Sequence, residues 1–206
     1  MRIDSVSQSP DRAGRYLVKF SDGSSIRIYR QAVEDLRLYP GMELDSLEQL
    51  QECNSRYSAK MRAVRIISAS SVSKRDLETR LVRKGESEEQ ARAAVEWLAD
   101  LNLVDDRQTA RQIVERCIHK GYGLQRAKQA LYEKQIPKSL WEEALEDYPD
   151  QQDAITAFLS QRIRDPEDPK QVKRAIDAAL RRGHSYGAVK RALEGIGTES
   201  DFEEEY

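Results

Sequence analysis

Residues Leu81-Val82-Arg83-Lys84-Gly85-Glu86-Ser87 and Ala179-Leu180-Arg181-Arg182-Gly183-His184-Ser185 match position for position. Each reads as apolar pair, basic pair, Gly stop and Ser cap. The two stretches lie 98 positions apart, and Leu131-Tyr132-Glu133-Lys134-Gln135-Ile136-Pro137 falls between them, 50 positions after the first. Downstream apolar positions keep step: Ala91, Trp141 and Val189, then Val95, Leu145 and Leu193. Self-similarity at a fixed period of this size is the signature of stacked supersecondary units.

Helix punctuation supports that reading. Ser73 opens a helix that Gly85 stops, and Ser87 with Gln90 has capping-box spacing, as does Ser139 with Glu142. Asn102 suits a left-handed helix end and Asp105 or Asp106 the next N-cap. Gly121 ends that helix, Pro169 suits a first turn, Gly183 a C-terminus and Ser185 a further cap. The expected organisation is three helical repeats, over residues 71–123, 124–168 and 169–198, before an acidic tail over 199–206. A third helix in the first repeat carries Ala110, Ile113, Val114, Cys117 and Ile118. In the second, Ile155, Phe158, Leu159 and Ile163 take that role, and the third repeat reads as truncated. Tandem three-helix units stack into an elongated, curved body.

Residues 1–70 differ. Arg15-Tyr16-Leu17-Val18-Lys19-Phe20 and Ile26-Arg27-Ile28-Tyr29 are β-prone runs around Ser21-Asp22-Gly23-Ser24, a hairpin signal because Gly accepts the positive φ the turn needs. Ile3–Val6 offers a third strand. A short helix is expected over 31–38, stopped by Pro40-Gly41, and a longer one over 43–67 with Leu44, Leu47, Leu50, Met61 and Val64 as core candidates. The fold class is therefore mainly α, with a small α+β module in front.

Composition narrows the function classes. Charged residues make up 34% and apolar residues 39% of the 206-residue chain. Average soluble domains have roughly 25% and 45–50%, so thin, helix-repeat architecture fits better than a single large core. No run approaches the roughly 18 apolar residues of a membrane span, and Met1-Arg2-Ile3-Asp4 opens no signal peptide. Cys53 and Cys117 stand alone, with no disulfide framework or zinc spacing. The expectation is a reduced, cytoplasmic, monomeric protein without metal or cofactor. His119 and His184 lack partners at catalytic spacing, and no Walker lysine, nucleophile elbow or HExxH occurs, so no catalytic residue is assigned. Trp97 and Trp141 read as core, and Asp105-Asp106 as a helix cap rather than a metal site.

The order of these elements resembles the RecX family, modulators of the RecA recombinase. The resemblance rests on Arg83-Lys84-Gly85, Ser87, Leu101-Asn102-Leu103-Val104-Asp105-Asp106, Ala110, Lys120-Gly121-Tyr122-Gly123 leading to Leu131, and Arg181-Arg182-Gly183-His184-Ser185. It covers about residues 73–196. Asn102 and Gln135 stand where the family usually has Gly, and Ala130 where it has Glu. The resemblance implies a non-enzymatic regulator of recombination and DNA repair. Such a protein lies in the groove of the RecA–DNA filament and limits ATP hydrolysis, filament growth and strand exchange.

Charge is striped along the helical part. Residues 107–138 hold eight bases and two acids, and 170–191 hold seven bases and one acid, whereas 139–168 hold nine acids and two bases. The candidate partner-binding residues are Arg107, Arg111, Arg116, Lys120, Arg126, Lys128 and Lys134 in the first basic stretch, with Tyr122 between two glycines. Lys173, Arg174, Arg181, Arg182, Lys190 and Arg191 come from the second. Clustered Lys and Arg suit an acidic filament surface or DNA phosphates, where counterions are released together. The plain alternatives are a solvated helix exterior with bases on neighbouring acids, and a Tyr122 that packs over a helix end. Two competing functions stay open: a helical protein acting on single- or double-stranded DNA directly, and an adaptor for another protein.

Overall fold

A computed structural model shows two compact units, Met1–Val104 and Asp105–Tyr206. The structure describes residues 1–10 and 14–197, so the expected acidic tail lies outside the described residues.

The first unit begins with an antiparallel sheet of β1 (Ile3–Gln8), β2 (Arg15–Phe20) and β3 (Ser25–Tyr29), in that order. Alternation sets its two faces: Val18 and Phe20 of β2 are buried with Ile3 and Ile28, while Lys19 and Arg27 point outward. The register pairs Val6 with Val18 and Val18 with Ile26, and it shifts at a bulge between Ile3 and Ser5. Helix α1 (Arg30–Asp35) follows, then α2 (Glu48–Ala69). The long helix begins at Glu48 rather than at residue 43, because Glu43 pairs with Arg2 as a β-bridge. Met61, expected in the core, is exposed.

Helix α2 serves two cores, so the module expected to end at residue 70 does not close there. Its Leu50 packs with the sheet residues, and Asn54 Oδ1 accepts a hydrogen bond from the Tyr29 amide. Further along, Ala59, Ala63 and Ile66 pack against α3 (Lys74–Arg83) and α4 (Glu88–Asp100), which contribute Leu77, Leu81, Ala91, Ala94, Val95 and Leu98. Burying each of those leucines is worth about 1.5–3 kcal/mol. The small alanines let the helix axes approach.

The second unit holds two more bundles. Helices α5 (Asp106–His119), α6 (Leu124–Glu133) and α7 (Trp141–Leu145) share the core of Ala110, Ile113, Val114, Cys117, Ala127, Leu131 and Ile136. Helices α8 (Gln152–Ser160), α9 (Pro169–Arg181) and α10 (Tyr186–Gly195) share Ile155, Leu159, Val172, Ala175, Ile176, Ala179, Val189 and Leu193. The period of the repeat stands, but its phase is one helix earlier than expected. Helix α5 packs forward onto α6 and α7, and α8 completes the third bundle, which is not truncated. The expected boundaries at 123/124 and 168/169 each cut through a bundle core.

Local signals mostly hold. Ser73, Ser87, Asp105, Asp168 and Ser185 each accept a hydrogen bond from an amide in the first turn of the following helix. Two capping boxes do not form as expected. Gln90 Oε1 is buried without a partner among the described residues, and Ser139 lies in a 3₁₀ turn, Lys138–Leu140, with no cap bond. Asn102 (φ 55°) and Gln135 (φ 54°) take the left-handed conformation that the RecX pattern gives to glycine. Outside glycine this costs roughly 1–2 kcal/mol per residue, less for Asn.

Candidate partner-binding surface

Asp105 fixes the start of α5 by accepting from the Arg107 amide at 2.8 Å. One turn apart, Arg107 and Arg111 both reach Glu143 of α7, at 3.2 and 2.6 Å. Both guanidinium groups stay more than half exposed, so each pair contributes at most about 1 kcal/mol to stability. Its larger effect is to neutralise part of the basic stretch. Helical geometry puts Arg116 on the opposite flank of the buried stripe 110–113–114–117. Arg116 and Lys120 are exposed and make no side-chain ion pair with a described residue.

The turn between α5 and α6 meets the turn between α9 and α10. The Gly123 amide donates to the Arg182 carbonyl at 2.9 Å, and the Gln125 amide to the Gly183 carbonyl at 3.2 Å. Arg182 Nη2 donates to the Lys120 carbonyl. Its guanidinium lies 4.6 Å from the Phe158 ring centre and 5.4 Å from that of Tyr122, while its Nε is buried without a hydrogen-bond partner among the described residues. Tyr122 is half-buried against the α5–α7 core, and its carbonyl accepts from the Tyr148 hydroxyl at 2.6 Å. Burial pushes the Tyr148 phenol up to about 12.

Two further titratable groups are packed here. His184 is buried and hydrogen-bonds to the Gly121 backbone. Burial pushes its pKa down, the nearby Arg182 adds to the effect, and the Gly121 contact opposes it. Burial likewise raises the Cys117 thiol. Arg182 and Tyr122 are thus parts of an interlock between the second and third bundles.

The remaining cations divide by exposure. Arg126 bonds Glu133 at 3.1 Å and is half-buried, as are Lys128 and Lys134. Lys173 and Arg174 of α9, Arg181 at its end, and Lys190 and Arg191 of α10 are exposed and make no ion pair with a described residue. Arg174 and Arg181, two turns apart, share the face opposite the buried stripe Val172, Ala175, Ile176 and Ala179. Among the described residues no group of three metal-binding side chains forms, and no helix is long and apolar enough to cross a membrane.

Residues 105–145, the α5–α7 bundle, match the family model for the second three-helix domain of RecX. Two curated relatives, each named regulatory protein RecX, come from Vibrio parahaemolyticus and Vibrio campbellii. Each is 25% identical over 140 residues, covering 66% of this chain and 90% of the relative. Among solved structures, a regulatory protein RecX superimposes with a TM-score of 0.67 at 20% identity, over 94% of this chain and 98% of its own. RecX from Lactobacillus salivarius gives 0.60 at 19% identity, over 69% and 97%. The family model and the two relatives support a RecX-family protein, and the solved structures share its fold.

The match to the RecX second-domain model begins at residue 105, where α5 joins its own bundle, so the family model and the core packing agree on the phase of the repeat. Three contributors to this surface were not singled out for it in the sequence. Glu143 neutralises two candidate arginines, Phe158 supports Arg182, and His184 is buried under the interlock. Glu143 stands in the acidic stretch between the basic ones, and that alternation is the one signal that points to it.

Proposed function

We propose that this chain is a non-enzymatic regulator of a RecA-type recombinase. In this reading it acts as a monomer in the cytoplasm, binds in the groove of the RecA–DNA filament, and limits ATP hydrolysis, filament growth and strand exchange. The names of the Vibrio relatives support the regulatory role, and the RecX resemblance supplies the partner. The observation that carries the contact surface is the division of the cations. Glu143 and Glu133 hold Arg107, Arg111 and Arg126, and Arg182 is fixed in the interlock. Arg116, Lys120, Lys173, Arg174, Arg181, Lys190 and Arg191 remain exposed without acidic partners among the described residues. They are the residues assigned to the filament.

Charge reversal at Arg174 and Arg181 tests the assignment. Fluorescence anisotropy of the labelled chain with RecA–single-stranded DNA filaments is expected to show weakened binding for this variant. Bare DNA at the same salt separates the competing reading. Equal binding to bare DNA and to filament, with a steep salt dependence, would mean that the cations meet phosphate directly and no recombinase is required.

A further inference from the structure

Residues 34–52 of the first unit are as acidic as the later helices are basic: six acids (Glu34, Asp35, Glu43, Asp45, Glu48, Glu52) stand against Arg37 alone. Glu34 and Asp35 are paired, with Arg30 at 2.6 Å and with Arg56 at 2.9 Å. The other four are exposed and make no ion pair with a described residue. Two open cavities of about 310 and 350 Å³ lie among them. Both are lined by Leu36 and Gln49, so they adjoin as one trough. The floor of the first is Leu36, Met42 and Leu44, half-buried over the core residues Leu38 and Leu50, with Glu43 and Asp45 beside them. The second runs along α2, where Gln49, Glu52, Cys53 and Arg56 fall at i, i+3, i+4 and i+7 and share one face over about 10 Å.

Floor and rim together decide the kind of ligand. Leu36, Met42 and Leu44 leave apolar surface in contact with water, which an apolar side chain from a partner would cover. The free carboxylates repel phosphate and acidic chains, so nucleic acid does not fit here. They attract Lys and Arg placed around an apolar anchor, which gives an apolar centre inside a charged rim. A trough that continues along a helix, longer than one side chain, suits a polypeptide segment rather than a compact small molecule. We propose that this trough docks a basic amphipathic segment of a partner protein. Its apolar anchor fills the cavity over Leu36, Met42 and Leu44, and its cations meet Glu43, Asp45 and Glu52. The proposal is independent of the recombinase reading, whose assigned surface is cationic and belongs to the second unit.

The test uses the full chain and a fluorescein-labelled peptide of about 18 residues, with Leu at i, i+3, i+4 and i+7 spacing and Lys elsewhere, read by anisotropy at about 0.1 M salt. A scrambled peptide of the same composition carries the charge without the apolar face. The amphipathic peptide is expected to bind saturably, and the scrambled one about tenfold more weakly or worse. Glu43→Lys with Asp45→Lys, both at exposed positions, is expected to weaken binding of the amphipathic peptide about tenfold or more. Leu44→Ala is expected to weaken it about threefold or more. If Leu44→Ala fails to fold, the charge pair, checked for unchanged thermal unfolding, decides alone. Equal binding of the two peptides, or unchanged affinity in the folded charge variant, would overturn the proposal. So would self-association of the chain in sedimentation that the charge variant abolishes, which would give the trough to a second copy. No recombinase enters these measurements, so the two accounts fail independently.

Discussion

Gly123 and Gly183 meet backbone to backbone: a methyl group on Gly123 would fall 2.0 Å from the Gly183 carbonyl oxygen. Gly123 has an ordinary φ of −73°, so the contact alone requires glycine there. Gly85, which aligns with Gly183 in the repeat, is the reverse case of Gly123, with φ +90° and nothing within 4 Å of an added Cβ. Gly123→Ala must separate two backbones and is expected to cost about 1–3 kcal/mol or more. Gly85→Ala should cost only left-handed strain, about 1–2 kcal/mol. Urea unfolding separates them, and the Gly123 variant should also loosen protection of the Gly123 and Gln125 amides in hydrogen exchange.

Arg181 and Arg182 are adjacent but do different work. Arg182 ties the Lys120 carbonyl to the rings of Tyr122 and Phe158, so Arg182→Ala is expected to destabilise the second unit by about 1–3 kcal/mol. Arg181 is exposed, and Arg181→Ala should leave stability within about 0.5 kcal/mol while weakening filament binding. Thermal unfolding and filament anisotropy on both variants check the split.

Glu143 restrains Arg107 and Arg111 together. Glu143→Gln is expected to change stability by less than about 1 kcal/mol, because both pairs are surface pairs. If these arginines face the filament, releasing them should tighten binding up to about fivefold, the equivalent of about 1 kcal/mol. No change in affinity would place that flank of α5 away from the partner.

His184 makes the interlock sensitive to acid. Its folded pKa lies below the ordinary 6.5, so the unfolded chain binds the proton more readily. This contribution to stability is complete above about pH 6.5 and is lost as pH falls toward the depressed folded value. Urea midpoints measured from about pH 7 down to about pH 5 should decline, and His184→Gln should decline less steeply over the same range.

The repeat and its helix punctuation were legible because a Gly or Ser at a helix end acts locally: Ser73, Asp105 and Ser185 cap the helices they precede. The phase of the repeat was not legible. Helix α5 carries the same apolar spacing whichever bundle it joins, and only tertiary packing against Leu131 and Ile136 decides. The candidate surface was partly readable, since every cation was visible but not which ones meet an acid. Glu143 lies 32 positions from Arg111, and no local rule links them. The Gly121-Tyr122-Gly123 turn pointed to something special, yet its partner at Gly183 is 60 positions further on from Gly123.

The central claim is regulation of the filament as a polymer. DNA-dependent ATP hydrolysis by RecA, with this chain titrated in, tests it most directly. The expected result is strong inhibition at far fewer than one molecule per RecA subunit. Undiminished hydrolysis at equimolar chain would contradict the account.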